Sequence, residues 1–245
     1  MKDKLYILIP ARSGSTRIKN KNLKTINGVS LLEKKIKSSI ESRIGKVFVS
    51  TNCRKIAKIA KSLGAEVPFF RPKIYSDSKS STISCVLHFI RFLSEKHIDL
   101  PEYLAILPAT NPFLKVSSIR KAFLILKKKK TFNSIVSYTE ASEHPFLYIK
   151  KNKKLLFDII KYEESRYSDF ERTQDWPKAY VASPALKISK IQYFKKFIRN
   201  TNPYFNEKTF DYKNCLGLKI EKKESIDINV QFDLHLANNV YHLTK

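Results

Sequence analysis

The 245-residue sequence predicts an α/β fold, a mostly parallel sheet with helices on both faces. Two patterns carry that reading. From residue 5 to residue 138, short apolar runs alternate with longer stretches whose apolar residues recur every three or four positions, strand and helix in turn. An apolar content of 42% with 12% aromatics supplies a continuous core for a chain of this length.

Residues 5–10 form the first strand and Asn27-Gly28 a turn. Ser30 then opens a helix with Glu33 three positions on, the spacing of a capping box. Leu32, Ile36 and Ile40 mark its buried side and place Lys34, Lys35 and Lys37 toward water. A strand at 46–50 leads through Thr51-Asn52 into a helix with Ile56, Ile59, Ala60 and Leu63 inward and Gly64 as its stop. Residues 66–70 read as the next strand. Ile83, Val86, Leu87, Ile90 and Leu93 mark a longer helix, 103–107 a buried strand, 116–129 a helix ended by a lysine run, and 133–138 a further strand.

Beyond that the rhythm breaks. Residues 140–177 are polar, aromatic-rich and weakly periodic, as expected of strands or a hairpin protruding from a single domain of residues 1–245. The chain returns through a strand at 179–188, a helix near 190–199, a strand near 216–220 and a last helix from about 230. Strands alternating with helices place ligand-binding loops at the carboxyl ends of the parallel strands.

The net charge of +25 comes from 47 basic against 22 acidic residues. The bases are mostly lysines spread along the chain, with no arginine and aromatic cluster on one element, so the charge reads as solubilising and mildly attractive to anions, with no specific nucleic acid implied. Cys53, Cys85 and Cys215 form no C-x-x-C pair, which argues against a disulfide framework or structural zinc and fits a reducing compartment. The apolar run at 5–10 is too short for a signal peptide or a membrane span, so a cytoplasmic protein is expected. No pair among His88, His97, His235 and His242 has metal-ligand spacing within a cluster, and His144 stands out only for its Glu-His-Pro segment.

Chemistry concentrates after the first strand, in Ile9-Pro10-Ala11-Arg12-Ser13-Gly14-Ser15-Thr16-Arg17-Ile18-Lys19-Asn20-Lys21-Asn22-Leu23. With one glycine it is neither a Walker loop nor a dinucleotide fingerprint. It nonetheless suits a triphosphate. Small residues let backbone N–H groups approach an anion, three hydroxyls can donate, and Arg12, Arg17, Lys19 and Lys21 supply charge.

Further segments follow in order: Val49-Ser50-Thr51-Asn52, Gly64-Ala65-Glu66-Val67-Pro68-Phe69-Phe70-Arg71-Pro72, Ser76-Asp77 before Ser80-Ser81, and Leu107-Pro108-Ala109-Thr110-Asn111-Pro112. Glu143-His144-Pro145, Arg172-Thr173-Gln174-Asp175-Trp176-Pro177-Lys178 and Ser225-Ile226-Asp227-Ile228-Asn229 complete the set. In order and spacing the whole resembles the acylneuraminate cytidylyltransferases, which make CMP-linked sialic, legionaminic and pseudaminic acids. The resemblance implies a nucleotide-diphospho-sugar transferase-like, Rossmann-like fold, CTP and an acidic sugar as substrates, Mg2+ as cofactor, and a homodimer in which the 140–177 segment reaches the partner's site.

Position by position, the resemblance assigns Arg12, Ser13, Gly14, Ser15 and Lys21 to the triphosphate, and Asn22, Arg71 and Ser81 to the cytosine side. Amide and guanidinium groups can read the edge of that base. Arg71 also has a plain structural reading, as a fork holding its own loop before Pro72. Arg12, Lys21 and Asp227 are the expected catalytic residues, Thr110, Asn111, Arg172 and Lys178 the expected sugar contacts, and Asp227 with Asn229 the expected metal ligands. The family usually has aspartate where Asn229 stands, so one negative charge is missing. Pro108-Ala109 in place of a Gln-Pro pair, Ser183-Pro184-Ala185 in place of Asn-Gly-Ala and Leu147 in place of a lysine after His-Pro leave the acceptor open among sugar acids. Ser15-Thr16-Arg17 also resembles the phosphate loop of 3-deoxy-manno-octulosonate cytidylyltransferases. That enzyme and a non-enzymatic basic nucleic-acid-binding protein are the alternatives.

Overall fold

The computed structural model describes residues 4–151, 157–159 and 172–243. In chain order, β1 (Leu5–Pro10) precedes a hairpin of β2 (Thr25–Ile26) and β3 (Val29–Ser30), then α1 (Leu31–Glu41), β4 (Lys46–Ser50) and α2 (Arg54–Ser62). α3 (Thr82–Glu95), β5 (Tyr103–Ile106), α4 (Val116–Lys128) and β6 (Ser134–Glu140) follow. A short antiparallel pair, β7 (Ile149–Lys151) and β8 (Phe157–Ile159), comes next. β9 (Tyr180–Lys190), α5 (Ile191–Lys195), β10 (Cys215–Lys219) and α6 (Gln231–Leu243) complete the order.

Six strands form one sheet in the order β10-β6-β9-β5-β1-β4. Only β9 runs against the others, pairing antiparallel with β5 and β6. Both faces are covered, which explains the uninterrupted apolar runs. Leu5, Ile7 and Ile9 of β1 pack with Leu32, Ile36, Ile56 and Ile119 on one side, while Tyr6 and Leu8 pack with Ile83, Val86, Phe89 and Phe194 on the other. The chain passes from β1 to β4 on one side and later to β5 on the other. The carboxyl end of β1 is therefore the switch point of the sheet, where open α/β folds bind ligands.

Local chemistry fixes the boundaries. Asn27 and Gly28 both take positive φ, 50° and 74°, as a two-residue hairpin turn requires. At α1 the Ser30 side chain accepts from the Glu33 N–H at 3.2 Å, and the Glu33 carboxylate accepts from the Ser30 N–H at 2.9 Å, a complete capping box. Gly64, at φ 88°, ends α2.

Four expectations change, the first at Ile40, which is exposed at the end of α1 where Ser39 takes the buried position instead. Residues 66–70 make only isolated bridges, Phe48 with Glu66 and Thr51 with Phe70, because Pro68 cannot donate to a ladder. The helix expected over 190–199 stops at Lys195, and Arg91 Nη1 donates to the carbonyls of Ile198 and Asn200 beyond it. Lys35 does not face water. It is 1% exposed on the side of α1 near Glu224, and its Nζ has no hydrogen-bond partner.

A small third cluster of Ile18, Ile26, Leu31, Ile228, Leu234 and Ala237 packs α6 and the β2–β3 hairpin against the loop that follows β1. It fixes the two walls of the site described next.

Candidate active site

The loop leaving β1 is held from both sides. Ala11 N–H donates to the Ser50 carbonyl at 2.9 Å, and the Ser13 N–H and hydroxyl both donate to Asn52 Oδ1, at 2.8 and 3.1 Å. Gly14 turns the chain at φ 78°, and Asn20 does so again at φ 55° before the short 3-10 turn Lys21–Leu23. Asn22 Nδ2 then donates back to the Arg12 carbonyl at 3.0 Å, closing the loop on itself.

The opposite wall is the segment before α6. Lys21 Nζ donates to the Ile228 carbonyl at 2.9 Å, and the Ile228 N–H donates to the Thr110 carbonyl at 2.9 Å. Arg17 Nη2 donates to Asn229 Oδ1 at 3.2 Å, while Asn229 Nδ2 donates to Asp227 Oδ2 at 2.7 Å. Asp233 accepts from the Asn229 and Val230 N–H groups at 2.6 and 2.8 Å, so this acid caps the last helix and fixes Asn229 from behind.

Between the walls lies a cavity of about 160 Å³ lined by Arg12, Ser15, Lys21, Asn22, Thr110 and Asn229, with Thr16 and Arg17 at its side. Its cations crowd one another. Burial, then repulsion from Arg71, holds Arg12 below its ordinary pKa, with Asp77 opposing. Burial likewise lowers Lys21, with Arg17 and Arg12 adding to the shift and Asp227 and Asp233 opposing it. Arg12 Nη1 and Asp227 Oδ1 are buried without a partner. A free guanidinium donor lining the cavity would be satisfied by a phosphate oxygen, and a free carboxylate oxygen on the wall beside Asn229 would suit a cation.

Other expected residues lie apart from this cavity. Arg71 is 5% exposed and spends its Nε on the Ser50 hydroxyl at 3.0 Å and its Nη2 on the Ser50 carbonyl, so it anchors its own loop beside Arg12. Ser81 is the N-cap of α3, accepting from the Ser84 N–H at 3.1 Å. It belongs to the 76–81 turn, whose Ser78 carbonyl receives Arg12 Nη2 at 3.4 Å. Asn111 is fully buried. Its Nδ2 donates to the Ile226 carbonyl at 3.1 Å, which steadies the approach to Asp227, and its Oδ1 has no partner.

Arg172 is exposed and paired with Asp175 at 3.0 Å. Lys178 lines a separate cavity of about 350 Å³ with Glu140, His144 and Trp176. There His144 Nδ1 accepts from the Phe146 N–H at 3.2 Å, which leaves Nε2 to donate to the Pro177 carbonyl at 2.7 Å.

The sequence reading missed three features. Asp77 is a hub that accepts from the Lys79 and Ser80 N–H groups and from the hydroxyls of Ser80 and Tyr204. Asn52 was visible in its motif, but its hold on Ser13 depends on a contact 39 residues away. Arg17 was legible as charge alone, with no sign of its partner Asn229.

Among the described residues no group of three or more His, Cys, Asp or Glu could hold a metal, and no helix is long and apolar enough to cross a membrane.

Comparison with known proteins sharpens the assignment. A CMP-N,N'-diacetyllegionaminic acid synthase of Legionella pneumophila is 31% identical over 243 residues, covering 99% of this chain and 98% of that protein. A pseudaminic acid cytidylyltransferase of Campylobacter jejuni is 29% identical over 96% of this chain and 94% of its own length. An N-acylneuraminate cytidylyltransferase of Escherichia coli O18:K1:H7 is 26% identical over 97% of this chain, which spans 52% of that longer protein. Among solved structures, a CMP:2-keto-3-deoxy-manno-octonic acid synthetase complexed with CTP superposes with a TM-score of 0.71, covering 99% of this chain and 100% of the other. At 11% identity that likeness shows the fold alone. The family model for cytidylyltransferases matches residues 6–234, and the chain belongs to that family.

Proposed function

We propose that this protein transfers the cytidylyl group of CTP to a nonulosonic, sialic-type sugar acid, releasing pyrophosphate. One observation carries the reading: Arg12, Ser15, Lys21 and Asn22 converge on a cavity at the switch point of the sheet, with Asn229 on its far wall beside Asp227. Sequence relatives that act on sialic, pseudaminic and legionaminic acids support this acceptor class over 3-deoxy-manno-octulosonate.

In this reading the anomeric hydroxyl of the acceptor attacks the α-phosphorus in line, and the pyrophosphate leaves toward Arg12 and Lys21. Little covalent chemistry falls to the protein. Its cations, already positioned and partly desolvated, stabilise charge that accumulates on the phosphate oxygens. Asn22 holds the loop at Arg12, while Arg71 and Ser81 form the wall proposed to face the base. Thr110 and Asn111 shape the acceptor side, with Arg172 of the 140–177 segment and Lys178 directly after it as further contacts, supplied across a homodimer.

The residues present fit a divalent cation such as Mg2+, because Asp227 offers a buried unpartnered oxygen and such ions need only one or two carboxylates beside substrate phosphates. When bound, the cation would neutralise phosphate charge. Asp227 is its proposed carboxylate ligand, and Asn229 joins only if its Oδ1 leaves Arg17.

The test is pyrophosphate release with CTP and magnesium across a panel of nonulosonic acids, with 3-deoxy-manno-octulosonate and the other nucleotides as comparisons. Turnover confined to CTP and one or more nonulosonic acids is expected. Turnover with octulosonate alone, or CTP failing to bind in the presence of magnesium, would refute it.

A further inference from the structure

The last residue of β5, Ile106, lies opposite Lys187 of β9, and Lys187 also faces Val136 of β6. Beyond Ile106 the chain enters the loop that brings Thr110 to the phosphate cavity. Lys187 therefore sits at the rim of the sheet where the site opens.

Its surroundings are built, and they are cationic. Ser189 Oγ donates to the Thr209 carbonyl at 3.2 Å, and the Asp211 N–H donates to Ser134 Oγ at 2.8 Å, fixing the loop that carries Lys208 and Phe210 next to Lys187. The Phe210 ring lies 5.9 Å from the Lys187 ammonium. Burial, then repulsion from Lys208, lowers the Lys187 pKa, and the one acid that opposes this is Asp227. Among the described residues the Lys187 ammonium has neither a hydrogen bond nor an ion pair. A half-buried ammonium held beside a second one without an acceptor is unfavourable until an anion arrives.

Asp227 ties this cation to the reaction. The charge of the same carboxylate reaches Lys21, which lines the phosphate cavity, and Lys187, which stands on β9 opposite the end of β5. We propose that Lys187 receives the carboxylate of the acidic acceptor and so sets the preference for a sugar acid. The inference rests on the acceptor class argued above. In a 2-keto sugar acid the carboxylate is bonded to the anomeric carbon, whose hydroxyl is the nucleophile. Fixing that carboxylate on the far side of Asp227 would also fix the attacking oxygen near the α-phosphorus. Neither Arg172, committed to Asp175, nor Lys178, in its separate cavity, has this placement within the protomer.

The experiment compares wild type with Lys187→Met, Lys187→Gln and Lys187→Arg, using the best sugar acid and its carboxamide. The neutral variants should raise the acceptor KM 10- to 100-fold, leave the CTP KM within about twofold and lose the preference for acid over amide. Lys187→Arg should retain that preference. Circular dichroism melts check folding, and Lys187→Gln serves should Lys187→Met fail to fold. An unchanged acceptor KM in a folded neutral variant, or equal losses for acid and amide, overturns the proposal. Wild type that uses no sugar acid at all overturns instead the acceptor reading on which it rests.

Discussion

Asn229 governs how the carboxylate beside it is used. Its amide links Arg17 to Asp227, so an arginine and an acid are bridged by a neutral group. Asn229→Asp would place two carboxylates side by side and offer a cation a second charged oxygen. The magnesium concentration for half-maximal pyrophosphate release should then fall about tenfold. A magnesium titration of the variant measures it, and an unchanged midpoint would show that Asp227 and the nucleotide suffice. Lys35 is a second residue with a sharp consequence. Burial takes its pKa from 10.5 down to about 7, with Glu224 opposing. Below pH 7 folded and unfolded chains both hold this proton, and the full cost of a buried ammonium falls on the fold. As pH rises from about 7 toward 10.5 the folded chain sheds the proton first, and stability grows. Lys35→Met should therefore stabilise most below pH 7, by about 1 kcal/mol or more, or roughly 2–4 °C in Tm. The gap should shrink toward pH 10. Glu224 keeps two backbone donors, from Lys115 and Glu221, when the lysine is gone. Melts at pH 6 and 9.5 decide it, and a gap that widens at the higher pH contradicts the account.

At the scale of elements, what could be read was what local chemistry controls. The capping box at Ser30 and Glu33, the Asn27-Gly28 turn and the stop at Gly64 were each written in two or three adjacent residues, and each forms. Ser30→Ala should cost about 1 kcal/mol, seen as a lower urea midpoint with an unchanged slope. The misreadings have equally local or wholly non-local causes. Residues 66–70 have strand composition, but Pro68 withholds a donor from the ladder. Lys35 was misread because a lysine ordinarily faces water, although its position, i+3 and i+4 from Leu32 and Leu31, lies on the face that helix periodicity marks as buried. The site divided in the same way. Arg12, Ser15, Lys21 and Asn22 were legible as one loop and do share one cavity. The anchoring of Arg71 on Ser50 and the pairing of Arg17 with Asn229 depend on tertiary contacts that no window of sequence displays.

For the whole molecule, the six-stranded sheet was legible as α/β and mostly parallel, but the reversed strand was not. Nothing in its composition gives β9 a direction. Its course follows from the chain leaving β6 at Glu140 and returning alongside it at Tyr180. The two ends are also joined by the Ala141 N–H on the Ala179 carbonyl at 3.0 Å. Replacing residues 142–178 with a short Asn-Gly turn should thus leave a chain that melts cooperatively. If the segment contributes the dimer contact, the shortened chain should sediment as a monomer and lose turnover while retaining CTP affinity. Sedimentation and nucleotide titration test both halves, and a shortened chain that does not fold would show that the sheet depends on this segment.

That two-point closure has a broader implication. Because β6 and β9 are already joined where the chain leaves and re-enters the sheet, the segment between is an insertion that the sheet's register does not depend on. Such an insertion can lengthen or shrink without shifting the register in which β9 pairs with β6 and β5.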